Sequence, residues 1–356
     1  MRRFKRLAKY FAVFVVSLVA AIAIAGCALS APRYGGPSSD HFDGKKFHNL
    51  EDTKDHTNTG DFLRWQLTRN PGPWRGFEEK TPGPKPPDRV GEGQLRVTFI
   101  NHATTLIQLE GLNVLTDPIW SDRCSPFSFA GPSRRVPPGI RFEDLPPIDV
   151  VLVSHNHYDH MDVPTLRKLV EKFHPKIFVG LGNTAFLSGK DITGSTDLDW
   201  WQSVELSPSV RLHSVPMQHF SNRGLVDSDA NLWTGFLLQT KAGNVLFAGD
   251  TGFGPHWKLI REKFGQPRLA VLPIGAFRPE WFMSRIHMSP EQAVQAHEIL
   301  GAHTSVAIHF GTFQLADDGQ DEAPMRLRNA VEKASGTKPD FRILGFGEGL
   351  DVSAIE

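Results

Sequence analysis

From Gln94 onward the apolar positions fall into short, strand-length runs separated by Gly, Pro, Asn and Asp. Leu95 to Ile100, Thr104 to Leu109 and Asn113 to Thr116 predict three strands, with Glu110-Gly111 turning between the last two. Ile148 to Val153 is apolar apart from Asp149 and ends in the unbroken run Val150-Val151-Leu152-Val153, the pattern of a buried strand. Asp162 then caps a predicted helix from Val163 to Phe173, in which Leu166, Leu169, Val170 and Phe173 share one side. Further strands are predicted from Lys176 to Val179, Val210 to Val215, Leu269 to Ile274 and Ser305 to Ile308. Phe341 to Leu344 is expected to be the last. Thr234 to Gln239 and Asn244 to Ala248 predict a hairpin. Ser289-Pro290-Glu291-Gln292 is a strong helix start, because Ser289 can cap, Pro290 suits the first helical position and Gln292 completes a capping box.

The pattern before Gln94 is different. Arg2, Arg3, Lys5, Arg6 and Lys9 precede an apolar stretch from Phe11 to Ala25 that is short for a membrane span. Ile24-Ala25-Gly26-Cys27 resembles the lipobox of bacterial lipoproteins, in which the cysteine is acylated. Residues 1–26 are therefore expected to be a lipoprotein-type signal peptide, with a lipid anchor at Cys27. An uncleaved N-terminal anchor is the other reading of this stretch. Both predict an exported protein tethered to a membrane. Ala28, rather than an aspartate, points to the outer membrane if the source is Gram-negative. Residues 27–93 read as a tether and irregular extension, and residues 94–356 as the catalytic domain. In the extension, Phe42, Phe47, Phe62, Leu63 and Trp65 either pack on the domain or line a substrate entrance.

Composition changes this picture little. Lys plus Arg and Asp plus Glu are equal at 39 each, so no bulk charge argues for a nucleic-acid partner. With only two cysteines, acylation of Cys27 leaves Cys124 alone, without a disulfide framework and without an assigned role.

The chemistry sits at the ends of predicted strands. The Ile148 run delivers His155, His157, Asp159 and His160 within six residues. A His-x-His spacing in extended chain sends two imidazoles to one side, and Asp159 and His160 can face a second ion. Imidazole and carboxylate suit zinc and related first-row metals. His219, Asp250 and His309 each follow an apolar run in the same way, which is the rigid placement a preorganised site needs.

His155-Asn156-His157-Tyr158-Asp159-His160, followed by His219, Asp250 and His309, resembles the metallo-β-lactamase superfamily. That resemblance implies an α+β fold, a four-layer αββα sandwich. The chain is further similar to the N-acylphosphatidylethanolamine-hydrolysing phospholipases D and their bacterial relatives. Asn101-His102-Ala103-Thr104, Leu115-Thr116-Asp117-Pro118, Ala248-Gly249-Asp250-Thr251-Gly252 and Ala307-Ile308-His309-Phe310-Gly311-Thr312-Phe313 carry this, with Pro273-Ile274-Gly275-Ala276 and Trp281-Phe282-Met283. It implies two zinc ions per chain. His155, His157 and His219 would hold one, Asp159, His160 and His309 the other, and Asp250 would bridge them. His287 matches a histidine near the substrate phosphate, and Asp159 and His287 are the expected catalytic groups. His102 and Asp117 are candidates for orienting the ligands.

The expected activity is that of a phospholipase D-type phosphodiesterase on N-acylphosphatidylethanolamine-like lipids. Two zinc ions sharing a hydroxide at neutral pH suit in-line attack on phosphorus, because bound water falls to a pKa of about 7. Phe277, Trp281, Phe282 and Met283, joined by Trp233 and Phe253, either line an acyl groove or pack in the core. Two alternatives remain open at this point. One is a lactonase or phosphoester hydrolase on a small soluble ester, and the other is a non-catalytic metal-binding lipoprotein.

Overall fold

A computed structural model describes residues 26–51 and 59–354, with scattered positions between 4 and 17. The expected signal peptide therefore lies largely outside the described residues. Among the described residues, no helix is long and apolar enough to cross a membrane.

Two seven-stranded sheets face each other. The first contains β1 (Leu95–Asn101), β2 (Thr104–Leu109), β3 (Leu112–Thr116), β4 (Val150–Val153), β5 (Lys176–Gly180) and β6 (Ser195–Leu198), with β14 (Gly349–Asp351) beside β1. The second runs in sequence order from β7 (Ser203–Ser207), β8 (Val210–Val215), β9 (Gly235–Gln239) and β10 (Asn244–Phe247) to β11 (Pro267–Pro273), β12 (Thr304–Ile308) and β13 (Phe341–Arg342). The strand alternation explains the layers. Val97, Phe99, Val150 and Leu152 of one sheet meet Phe236, Leu238, Val245 and Val271 of the other in a single core. Their neighbours point outward and are buried as well. Val151 and Val153 lie under α2 (Val163–Phe173) and α3 (Asn183–Ser188). Leu237, Leu246, Ala270 and Leu272 lie under α4 (His256–Phe264), α6 (Pro290–Leu300) and α7 (Glu322–Lys333), with the short α5 (Glu280–Met283) between α4 and α6 in the chain. Both sheets are covered on both sides, so their central strands read as continuous apolar runs rather than alternating ones.

Several expectations are corrected. Asp162 precedes α2 but makes no side-chain cap. Its carboxylate instead accepts from Ser121 N–H and Oγ–H and from the Thr165 hydroxyl, tying the helix to the loop after β3. Ser289 does form the capping box with Gln292. The strand expected from Phe341 to Leu344 is shorter, and β14 follows it. The extension is not wholly irregular, because Thr59–Thr68 forms α1. Phe42 and Phe47 pack with their rings tilted, centres 4.5 Å apart, and are buried against the outer face of the second sheet. Trp233 and Phe277 belong to the same outer core, so neither lines a groove. Phe253 packs beside them.

Candidate metal centre and cleft

Strands β3, β4, β5 and β6 are parallel, as are β10, β11, β12 and β13, so each group ends along one edge of its sheet. The polar residues follow directly. Asp117 follows β3, the His155 cluster follows β4, His219 follows β8, Asp250 follows β10 and His309 follows β12. Gly249 lets two of these loops meet, since a Cβ there would lie 2.4 Å from Cβ of Ser154. His102, Asp117 and His309 adopt positive φ without being glycine (46°, 32° and 63°), the local strain that clusters at functional sites.

All seven predicted ligands converge. Nε2 of His155 lies 2.8 Å from Nδ1 of His157, and Nε2 of His219 lies 3.4 Å from the same atom. A second set forms alongside. Oδ2 of Asp250 is 3.1 Å from Nε2 of His160, 3.0 Å from Nε2 of His309 and 3.9 Å from Nε2 of His219. Oδ2 of Asp159 is 3.2 Å from Nε2 of His160 and 3.4 Å from Nε2 of His309. One carboxylate oxygen of Asp250 thus stands between the two sets. His102 brings Nε2 to 2.8 Å from Oδ2 of Asp159, so it joins the second set geometrically rather than standing behind it.

The ligand nitrogens are oriented from behind. Asp117 is fully buried, and its Oδ2 accepts from Nδ1 of His160 at 2.6 Å and from the Ser154 hydroxyl at 2.6 Å. The Ser154 hydroxyl oxygen lies 2.9 Å from Nδ1 of His155. Nδ1 of His219 donates to the carbonyl of Ile286 at 2.9 Å. Each of these contacts puts the proton on Nδ1 and leaves the Nε2 lone pair facing inward. Asn49, from the extension, holds the His219 backbone on both sides, donating to its carbonyl at 2.9 Å and accepting from its N–H at 3.0 Å.

Electrostatics and unpaired atoms both fit a cation. Burial pushes the imidazole pKa values of His155 and His219 well down, that of His157 down to about 4, and that of His102 down to about 3, so these rings are neutral. Burial also opposes charge on His160 and His309, yet the carboxylates of Asp250 and Asp159 hold His160 well up and His309 at about 9, so without a metal these two rings carry the positive charge that a bound cation would replace, freeing their lone pairs. Nε2 of His160, Oδ1 of Asp250 and Nδ1 of His309 are buried without a hydrogen-bond partner. Buried polar atoms seldom stay unpaired, and a nitrogen and oxygen donor set of this kind is what zinc and its neighbours take.

A cleft of about 710 Å³ opens over this floor. His157, Asp159, Asp250, His287 and His309 lie at its base. Its walls are mostly apolar and include Phe62, Trp65, Phe220, Phe282, Met283 and Ile286. His287 is largely buried, with Nδ1 3.9 Å from Oδ2 of Asp250 and no hydrogen-bond partner. Burial pushes its pKa down to about 4, so it enters the cleft as a neutral imidazole that donates or accepts a hydrogen bond. Of the extension aromatics, Phe62 and Trp65 line the entrance, and Trp65 stacks on Phe282 at 5.2 Å. Trp281 is half-exposed beneath the Arg64 guanidinium, 4.5 Å from its ring centre. The sequence reading missed Asn49 and the walls formed by Phe220, Ile286 and Leu315. Cys124 is buried against the Pro132 carbonyl and takes no part.

A family model described as a beta-lactamase superfamily domain matches residues 112–310. The chain is 37% identical over 270 residues to N-acyl-phosphatidylethanolamine-hydrolyzing phospholipase D 1 of Caenorhabditis elegans, covering 73% of this chain and 75% of that one. It is 31% identical over 241 residues to the mitochondrial N-acyl-phosphatidylethanolamine-hydrolyzing phospholipase D of Saccharomyces cerevisiae, covering 66% of this chain and 51% of that one. A metallo hydrolase from the archaeon Ignicoccus hospitalis shares the fold, with a TM-score of 0.55 at 20% identity over 73% of this chain and 99% of that one.

Proposed function

The chain belongs to the metallo-β-lactamase superfamily, as a metal-dependent hydrolase related to the N-acyl-phosphatidylethanolamine-hydrolyzing phospholipases D, and we propose that it cleaves the phosphodiester of an N-acylphosphatidylethanolamine-like lipid with two zinc ions. The observation that carries this reading is an apolar cleft set directly on a floor of histidines and aspartates. A small soluble ester gains nothing from walls of Phe62, Trp65, Phe220 and Phe282, whereas acyl chains bury on them at roughly 25 cal/mol per Å². The similarity to the two phospholipases D supports the same substrate class.

His155, His157 and His219 would hold one ion, and Asp159, His160 and His309 the other, with Asp250 between them and His102 beside Asp159. Bound zinc would supply Lewis-acid charge for the phosphate and lower the pKa of water to about 7. The chain itself does the positioning. Asp117, Ser154 and the Ile286 carbonyl fix the imidazole tautomers, so the ligands need not reorganise. His287, neutral and with Nδ1 unpaired at the base of the cleft, offers a hydrogen bond to a phosphate oxygen or to the departing group. The apolar walls hold the acyl chains and keep bulk water from that face of the phosphate.

The test is turnover of N-acylphosphatidylethanolamine in detergent micelles beside a panel of lactones and soluble phosphodiesters. Release of phosphatidic acid, with little activity on the soluble panel, is expected. Faster turnover of a monomeric lactone or soluble diester than of the lipid would overturn the substrate assignment.

A further inference from the structure

We infer that the protein has a built membrane-docking face at the mouth of its cleft, made by the segment after the apolar leader, the loop around Leu225 and the loop carrying Phe127 and Phe129, and that it seats on an anionic phospholipid bilayer. The first observation is where the chain enters the fold. Residues 11–25 are apolar and lead directly into Gly26. From there the chain is fastened to the 224–227 loop. The carbonyl of Gly26 accepts from the N–H of Leu225 at 3.1 Å, the Ser30 hydroxyl oxygen accepts from the N–H of Val226 at 3.2 Å, and the N–H of Ala31 donates to Asp227 at 2.7 Å. The approach is close enough to require glycine at 224, where a Cβ would lie 2.4 Å from the Gly26 carbonyl oxygen. Leu225 itself lines the cleft. On either reading of residues 1–26, the chain is therefore fastened through Ser30 and Ala31 beside the mouth of the site.

The second observation is what surrounds that point. Leu225 is 63% exposed and Val226 is 50% exposed. A hollow of about 260 Å³ adjoins them, with Leu29, Pro126, Arg167, Lys190 and Arg223 in its lining, and the Asp162 carboxylate there is buried and already bonded to Ser121 and Thr165. Immediately after Pro126, Phe127 and Phe129 pair at 5.5 Å on the loop surface, with Phe129 79% exposed. Large side chains exposed in a group, rather than singly, mark an interaction surface. Basic residues beside apolar ones suit an anionic bilayer, which attracts cations near its surface while apolar side chains enter the headgroup boundary. Arg167 and Lys190 supply that charge here. On the far side of the cleft mouth, α1 adds Leu63 and Leu67, both exposed. Docked this way, the cleft faces the bilayer and draws lipid from it directly. The docking itself rests on neither the zinc count nor the lipid reading above.

The test uses the full chain in a Cys27→Ser, Cys124→Ser background. An environment-sensitive fluorophore is placed on a single introduced cysteine, at Phe129→Cys, at Leu225→Cys, or at Lys333→Cys on the distant α7. Vesicles are phosphatidylcholine with and without phosphatidylglycerol. Brightening by about 2-fold or more, with quenching by spin-labelled lipid, is expected at 129 and 225 but not at 333. Arg167→Glu with Lys190→Glu should reduce the preference for anionic vesicles by roughly tenfold. If the chain floats with vesicles while the probes at 129 and 225 stay dark, the leader alone holds it and the docking face is refuted. Failure to float at all refutes it equally. Hydrolysis in detergent micelles, measured in parallel, reports on the substrate reading separately.

Discussion

Removing the carboxylate of Asp117 should damage both halves of the metal centre, although Asp117 touches neither set of inward-facing ligand atoms. Its Oδ2 accepts from Nδ1 of His160 and from the Ser154 hydroxyl, and that hydroxyl in turn meets Nδ1 of His155, so one carboxylate orients a histidine in each set. Oδ1 accepts from the Ser154 N–H at 2.7 Å. In Asp117→Ala, three buried donors lose their acceptor. Each orphan costs about 1–3 kcal/mol, and breaking a buried charged network typically costs about 3–5 kcal/mol in all. Asp117→Asn keeps the volume but presents an amide N–H₂ to the Nδ1–H of His160. The expected result is a 10–100-fold loss in zinc affinity at both binding steps, which is the usual effect of removing such a supporting carboxylate. Ser154→Ala should weaken mainly the step that depends on His155. Competition with a chromophoric chelator measures the two affinities, and urea unfolding checks that the fold survives. Wild-type zinc affinity in a folded Asp117→Asn would refute the claim that tautomer control comes from this residue.

Other predictions concern the extension and the cleft. Asn49→Ala removes both backbone contacts to His219 and one to the Trp233 indole, so it should cost roughly 1–3 kcal/mol and weaken zinc binding; equal urea midpoints and zinc affinities for mutant and parent would argue against the clamp. Phe282→Ala removes the ring stacked on Trp65 and should raise KM about tenfold for long-chain lipid while sparing a short-chain analogue, and equal effects on both would sink the acyl-groove assignment. His41 fastens the extension, with Nε2 2.8 Å from Asp199 and Nδ1 2.6 Å from Asp40. Burial lowers its pKa, but the two carboxylates outweigh burial and the net shift is upward. A raised folded-state pKa means the stabilisation is complete below the ordinary value of about 6.5 and is lost as pH rises through the folded value. Proteolysis of residues 43–48 should therefore increase above about pH 6.5, and His41→Gln should flatten that rise; an identical pH profile in the mutant would discard the clasp.

The sandwich was legible because strands buried on both faces leave uninterrupted apolar runs, as at Val150–Val153 and Pro267–Pro273. The ligands were legible because each follows such a run. The edge strands Ser195–Leu198 and Ser203–Ser207 were not, since their exposed positions carry Ser, Thr, Asp and Glu and give no apolar signal. The cleft was only half legible. Phe220, Ile286 and Leu315 lie in loops, where no period reports which way a side chain points. Trp233 and Phe277 resembled groove residues by proximity to the motifs, yet their local chain direction turns them into the packed outer layer. α1 carries no clear sequence signal because Thr59–Thr68 sets its apolar residues among polar ones without a single buried stripe, and three of them remain exposed.

The central claim is a two-ion site divided between two ligand sets, and metal content per chain in paired single mutants tests it most directly. The wild-type chain should hold close to two zinc ions, His157→Ala and His309→Ala should each hold close to one, and both mutants should lose lipid turnover. A wild-type chain that holds fewer than one ion, or mutants that keep two and still turn over lipid, would contradict the assignment.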